Sequence, residues 1–438
     1  MGGIILLDNS AELGQAMPER KDGNSVPALI MGLGHPRQTA YVKSLANVGV
    51  PVHAVHTKQT AFQFSRHLKS FHQIDADPEK QLDYLERFGR EVGGIIVPTN
   101  DDYVGLVSKN RERLSKHFIV PVPDWQIVGA ILDRPTCYSM AESIGVKVPR
   151  YWSPNSDAEM RATISALEPQ NCDHIIKTRS VLGAPADETT IRFTRAAPRT
   201  RSGILEASEE LTRRTGQYPL IQQVIPGAAD SAIGVSMVVS PKGEFLLAYC
   251  VRRLRLASYK IDAGYVHPYE LGSVVWCETT HDDEALDAAR ELVRLFRYTG
   301  QITVEFRRDS RDGSLYLMKI EPRPVRATSL STVIGMDIPT ALYTAFLGDT
   351  PKVATEYPDG VGWLWIISYA KSLASNAHYN RRDIFRVLRG GRQIKAFGED
   401  FSDPMPFVRW AVSRVARPVA GRLRHLLGRD VLSRPTSR

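Results

Sequence analysis

The chain has no uninterrupted apolar run near the roughly 20 residues that a membrane-spanning helix requires, which argues against a span. A short apolar patch at residues 4–7 follows no basic stretch and is soon broken by Asp8 and Glu12, so it lacks the build of a secretion signal. Position 6 is Leu6, where the myristoylation pattern after Gly2 requires Ser or Thr. Cysteine is scarce: Cys137, Cys172, Cys250 and Cys277 lie far apart and form no CxxC pair. That spacing speaks against a zinc site or a disulfide framework and points to a reducing cytoplasm. Most of the chain also lacks a charge excess. The formal net charge is +8, but residues 405–438 carry eight arginines against Asp430 alone, leaving about +1 for everything before them. The main body therefore has no electrostatic footprint for nucleic acid. With 438 residues, 43% hydrophobic and 24% charged, two or three soluble globular domains are predicted.

Residues 1–25 are polar and irregular and read as a disordered leader. Strand-like 28–31 then runs into Gly32-Leu33-Gly34-His35. A helix follows, with Thr39, Val42, Leu45 and Ala46 on its apolar face and Gly49 at its end, and then a strand over 50–55. A helix at 78–92, a strand at 94–97 and a helix near 103–114 continue the alternation, which predicts a parallel sheet with helices on both faces. Gly32-x-Gly34 is half of a dinucleotide fingerprint. Position 37 is Arg37 rather than the third glycine, and no acid closes the second strand, so a tight strand-to-helix turn is the better reading. A boundary falls near Pro121-Val122-Pro123. Beyond it 136–144 reads as a helix, and 173–178, 189–194, 219–225, 232–239 and 244–252 read as strands, with a helix at 203–215. The helix at 282–299 carries Leu286, Ala289, Val293 and Phe296 at intervals of three and four. Strands at 301–307 and 315–320 flank a turn at 309–313. The mixture predicts an antiparallel α+β region after the parallel one.

Four features suggest a nucleotide site. Lys177 ends an apolar strand above a loop holding Gly183, where an ammonium meets little competing solvent and suits a phosphate. The alternative is a lysine whose stem covers the sheet edge. The strand end Gln222-Gln223-Val224-Ile225-Pro226-Gly227 offers polar groups for an adenine edge. Arg252, Arg253 and Arg255 form a guanidinium cluster suited to carboxylates or phosphates, or else a solvated face. Glu305 and Glu321-Pro322-Arg323 place two carboxylates on neighbouring strands, as Mg²⁺ bound to nucleotide phosphates requires, with Arg323 beside them for developing charge.

In this order the segments PTNDDYV, DRPTCYSMAESIGVKVP, HIIKTRS, IQQVIPG, GQITVEFRRDSRDG and LMKIEPRP resemble the ATP-grasp superfamily. More narrowly they resemble its carboxylate–amine ligases of the D-aspartate ligase type, over about residues 27–345. The resemblance implies an N-terminal Rossmann-like parallel sheet (26–125), then an ATP-grasp domain (126–348) made of a central lid subdomain and a C-terminal antiparallel grasp subdomain. A C-terminal extension occupies 349–438. It implies that Lys177 contacts ATP phosphates, that Gln222, Gln223, Val224 and Ile225 form the adenine hinge, and that Asp230 meets the ribose. Arg252, Arg255 and Arg323 would face phosphates or the substrate carboxylate, Glu305 would hold Mg²⁺, and Asp101 and Asp102 lie where substrate often sits. The implied reaction phosphorylates a carboxylate with ATP, and an amine then attacks the acyl phosphate. The partners implied are small-molecule acids and amines, and a homodimer is compatible with the type.

The sequence departs from that family in one stretch above all. The usual Glu-Ile-Asn-Pro-Arg reads Lys319-Ile320-Glu321-Pro322-Arg323. Positions two apart on a strand share a face, so Lys319 and Glu321 still point the same way. Either Glu321 supplies the lost charge while Lys319 replaces one of two metal ions, or the site binds nucleotide without ligating. A thiol or phosphate acceptor is a third reading. Arg134 stands where a lysine usually follows Asp133 and keeps its charge, and Gln223 replaces the hinge glutamate. In the tail, Val408, Val412, Val415, Val419, Leu423 and Leu426 recur at threes and fours among arginines, with Pro418 as a kink. Such a helix packs on its own protein, lies on an anionic membrane, or docks a partner.

Overall fold

A computed structural model describes residues 25–168, 174–180, 182, 195–196, 200–258, 272–375, 393–410 and 412. The leader up to residue 24, the strand expected at 189–194, the loop at Gly183, Cys172 and most of the basic tail lie outside the described residues. The N-terminal sheet is parallel, with β1 (Ala28–Met31), β2 (Val52–His56), β3 (Ser70–Gln73) and β4 (Ile95–Pro98) in the order β3-β2-β1-β4. Every residue of β1 and β4 is buried, which is why both read as continuous apolar runs rather than alternating ones. Strand β3 has no such run and escaped the sequence reading. The helix expected over 103–114 is two helices, Asp101–Lys109 and Arg111–Ser115, parted at Asn110.

The order of this sheet reverses between β1 and β4, and the crevice at their carboxyl ends is where open α/β sheets bind ligands. Gln38 fastens that end. Its Oε1 accepts from the backbone N–H groups of Gly34 (3.0 Å) and His35 (2.6 Å), and its Nε2 donates to Thr99 Oγ1 (2.9 Å). Asn100 then caps the 101–109 helix by accepting from Tyr103 N at 2.8 Å, so Asp101 opens that helix at the crevice.

The expected antiparallel region is divided between two sheets. The smaller has β5 (Tyr151–Trp152), β6 (His174–Thr178), β7 (Arg195–Ala196) and β8 (Pro219–Gln223) in the order β5-β8-β6-β7. Its core is its own: Ile176 and Ile221 pack with Met160, Ile164, Ile204 and Leu211 from helices Asp157–Ala166 and Arg201–Thr215.

The larger sheet has seven strands: β9 (Ala232–Val239), β10 (Phe245–Ser258), β11 (Gly272–Thr280), β12 (Gly300–Arg308), β13 (Leu315–Glu321), β14 (Gly362–Leu364) and β15 (Ile394–Phe397). Their order is β13-β12-β9-β10-β11-β14-β15, antiparallel except for the last pair. Strands β14 and β15 thus bring part of the segment after residue 348 onto this sheet. The core of the N-terminal sheet is continuous with that of the larger one, because Leu29, Ile96, Val235 and Val304 share a buried cluster, as do Ile30, Val97, Tyr249 and Trp363. The start of the tail packs inward: Phe407 meets Phe62 edge to face at 5.2 Å and Arg409 covers the ring of Phe64, while Val408 and Val412 are exposed. Among the described residues no helix is long and apolar enough to cross a membrane.

At one point the union of the two larger sheets tolerates no side chain. Gly300 opens β12 at φ +104°, and a Cβ there would lie 2.3 Å from the carbonyl oxygen of Pro121. Gly313, at φ +75°, faces open space. Gly313→Ala should therefore cost about 1–2 kcal/mol from backbone strain alone. Gly300→Ala should cost about 1–3 kcal/mol more, because the backbone of 121 must also move. Thermal unfolding of both variants checks this, and equal losses would show that the approach at Pro121 is not limiting.

Candidate active site

Strands β12 and β13 set the centre of the site. Their register places Glu305 opposite Lys319, and Glu321 lies two residues along on the same face. The Lys319 Nζ touches both carboxylates, bonding Glu321 Oε1 and lying 3.3 Å from Glu305 Oε2. The other oxygen of Glu305 pairs with Arg253. Arg323 donates to Glu321 Oε1 at 3.2 Å and, through Nε, to Asp101 Oδ1 at 2.7 Å. Charges thus alternate from Arg253 through Glu305, Lys319, Glu321 and Arg323 to Asp101, joining the larger sheet to the crevice of the N-terminal one.

The electrostatics follow from burial. Burial alone would raise the Glu321 carboxyl, but Arg323, Lys319 and Arg253 outweigh it and hold that group well below the usual carboxylate range. Burial would likewise lower Arg323, yet Asp101 and Glu321 carry it above the ordinary arginine range. Glu321 and Arg323 are therefore both charged at neutral pH.

On the facing side, Lys177 of β6 donates to Gln222 Oε1 of β8 at 3.1 Å. The hydroxyl of Tyr138, from helix Arg134–Ser143, lies within donating distance of Gln222 Oε1 (3.2 Å) and Met318 O (2.7 Å). Arg134 donates to the carbonyl of Thr178. Burial, reinforced by the charges of Arg134 and Lys319, pulls Lys177 down to about 7. Asp101, Arg134, Tyr138, Lys319, Glu321 and Arg323 line one cavity of about 90 Å³. Lys177, Arg134, Lys319, Glu305, Glu321 and Arg323 are thus brought together as one group.

The expected hinge lies where the chain passes from the small sheet to the large one. Gln223 ends β8 with its N–H on Arg150 O (2.8 Å), and Val224 and Ile225 are buried beside it. Asp230 is exposed just before β9, near enough to Arg252 for their charges to interact. Arg252, expected to face phosphates, instead pairs with Glu278 across β11 at 2.6 Å. Neighbouring residues on a strand point to opposite faces, so the guanidinium reaching the centre is that of Arg253. Arg255 follows an irregularity in the β10–β11 register. Asp102 is exposed on the helix that Asp101 begins.

Three further residues escaped the sequence reading. Arg307 is buried and clamps the crossing through the carbonyls of Gly227 and Ala228. Tyr138 reads as a core aromatic and Arg37 as a broken fingerprint. Only the strand alternation around Arg253 carried a usable signal.

Glu305 and Glu321 offer hard oxygen ligands converging on a single point, the point now taken by the Lys319 ammonium. Among the described residues no group of three or more His, Cys, Asp or Glu could hold a metal ion. Two carboxylates would leave the rest of a Mg²⁺ shell to phosphate oxygens and water.

No family model matches the chain. It is 20% identical over 271 residues to the D-aspartate ligase of Enterococcus faecium (strain Aus0004), covering 60% of this chain and 61% of that relative. Among solved structures it resembles N5-carboxyaminoimidazole ribonucleotide synthetase in its ADP complex, at TM-score 0.57 and 14% identity, over 76% of this chain and 80% of the other. It also resembles the biotin carboxylase domain of the Hydrogenobacter thermophilus 2-oxoglutarate carboxylase with MgADP, ADP and bicarbonate, at TM-score 0.57 and 13% identity, over 76% and 73%. The biotin carboxylase of Campylobacter jejuni gives a TM-score of 0.55 at 12% identity over 77% and 74%. By its parallel sheet, small antiparallel sheet and large mixed sheet, together with these likenesses, the chain has an ATP-grasp-like fold and is distantly similar to D-aspartate ligase.

Proposed function

We propose that the chain is an ATP-dependent ligase that joins the carboxylate of one small molecule to the amine of another through an acyl phosphate. The observation that carries this reading is the convergence of Lys177, Arg134, Lys319, Glu321, Arg323 and Asp101, from three sheets and their helices, on one crevice. Phosphoryl transfer asks a protein chiefly for positioning and charge neutralisation, and these groups supply both. Lys177 and Arg134 would hold nucleotide phosphates, with Gln222 to Ile225 against the base and Asp230 toward the ribose. Mg²⁺, held by Glu305 and Glu321, would neutralise phosphate oxygens. Arg323 and Lys319, fixed by their carboxylates, would face the charge that develops on the transferred group. Burial around Tyr138 and Gln222 keeps water from a reactive acyl phosphate. The buried, free Cys137, Cys250 and Cys277 suit a cytoplasmic setting, and 26–125 and 126–348 serve as the two working domains.

The Lys319 ammonium between Glu305 and Glu321 favours a second reading, a protein that binds nucleotide without ligating. A phosphate-release screen of acids against amines with ATP and Mg²⁺ separates the two, and its failure across the screen alongside intact nucleotide binding would establish the second. In the ligase reading Glu321→Ala should lower turnover by about 100-fold or more, since it strips both Lys319 and Arg323 of their shared partner. Full activity in that variant would sink the assignment of the centre.

A pH test addresses Lys177. Free Lys177, drawn down to about 7, is half neutral near that pH, and a phosphate beside it favours the charged form. Nucleotide binding above pH 7 should therefore take up a proton, and affinity should fall as pH rises, by up to about tenfold per unit. Calorimetry in buffers of different ionisation enthalpy measures the uptake, which Lys177→Met should abolish. Unchanged uptake in that variant would remove Lys177 from the phosphate site.

A further inference from the structure

The space between Glu305 and Glu321, where a divalent ion would lie, is filled by a charge of the chain's own. Glu305 Oε1 pairs with Arg253, and its Oε2 lies 3.3 Å from the Lys319 ammonium. Glu321 Oε1 bonds Lys319 and Arg323, and its Oε2 lies 3.4 Å from Nη1 of Arg323. All four carboxylate oxygens therefore have a cationic partner. With Asp101 on Arg323, three acids face three cations, so this group is balanced before any ion arrives. An ammonium and a Mg²⁺ cannot share those oxygens, because two cations at such close range repel. The three cations are not held alike. Arg253 and Arg323 have side chains 19% and 13% exposed, whereas that of Lys319 is 40% exposed and lines the crevice cavity. When Lys319 turns away, Glu305 retains Arg253 and Glu321 retains Arg323, each short of one cation. A divalent ion makes good that shortfall.

We propose that Lys319 is a lock on the carboxylate pair, shut against divalent ions while the crevice holds no nucleotide and opened when phosphate oxygens draw its ammonium away. A lysine suits this role, since its ammonium is a compact charge on a flexible stem and bonds phosphate as well as carboxylate. Lys177, assigned above to the phosphates, is close enough to feel the charges of Arg134 and Lys319. Lys319 has only to turn from one set of oxyanions to another within the same crevice. The lock deepens the ligase reading and rests on it for the nucleotide that opens it. Binding of nucleotide and of divalent ion is then coupled, each strengthening the other by the same factor.

The experiment uses the full chain with Mn²⁺ as the probe, unbound Mn²⁺ being followed by electron paramagnetic resonance. Without nucleotide, Lys319→Met should bind one Mn²⁺ at least about tenfold more tightly than wild type. Lys319→Gln should do the same, and Glu321→Gln added to either should abolish the gain. Calorimetric titration with ADP in EDTA supplies the second arm. Lys319→Met should bind ADP there at least about tenfold more weakly than wild type, because the phosphates lose the ammonium they draw. The lock is overturned if nucleotide-free wild type binds Mn²⁺ as tightly as both Lys319 variants, or if ADP affinity in EDTA does not change. A gain of Mn²⁺ binding that survives Glu321→Gln overturns it too, because the ion then sits elsewhere. Failure of wild type to bind ADP would remove the nucleotide site and the lock together. Absence of phosphate release with every acid and amine pair, beside both expected shifts, would instead remove the ligase reading and leave the lock standing.

Discussion

One chain of alternating charges, Arg253–Glu305–Lys319–Glu321–Arg323–Asp101, holds the working end of this protein together. Glu305, Glu321 and Arg323 are largely taken out of water at a cost of several kcal/mol each, and each is tolerated because its neighbours on both sides have the opposite sign. The arrangement is thus cooperative in a strict sense. Deleting one member strands two others, so no single pair has an energy of its own. Asp101 gives the chain its reach, since it is the one member supplied by a helix that follows a strand of the parallel sheet. The relative placement of two sheets is thereby expressed as a hydrogen bond of 2.7 Å between Arg323 and the first residue of a helix.

The small sheet stands outside this arrangement. It has its own apolar cluster, joins the common core through Leu220 and Tyr151, and adds polar contacts: Lys177 and Tyr138 on Gln222, Arg134 on Thr178, and Arg179 on Asp133 at 2.7 Å. Contacts of that kind exchange readily with water or ligand, whereas the shared apolar cores of the two larger sheets do not.

Much of this was legible in the residues. The buried runs of β1 and β4, the periodic helix from Asp283 and the paired strands around Glu305 and Glu321 all carry patterns set by local geometry. Lys319 and Glu321 were placed on one face from spacing alone, and the register agrees. What failed had physical reasons. Strand β3 is half-buried and polar, and β14 and β15 are three and four residues long, so none has enough length for a period to show. The arginine cluster stays unresolved in the sequence because a triplet of like side chains hides which one faces inward until the partner strand is known. Arg37 reads as a broken fingerprint because a motif specifies which residue fits a position and carries no information about one that does not.

The hydroxyl of Tyr138 has one hydrogen and two acceptors, Gln222 Oε1 at 3.2 Å and Met318 O at 2.7 Å. It cannot satisfy both at once. While Lys177 donates to the same amide oxygen, the phenol is free to favour the shorter bond to Met318. Anything that draws the ammonium of Lys177 away leaves Gln222 short of a donor, and the hydroxyl must rotate to make good the loss. Met318 immediately precedes Lys319 in the chain, so the occupancy of one wall of the crevice is reported to the backbone of the opposite wall by the turn of a single O–H bond.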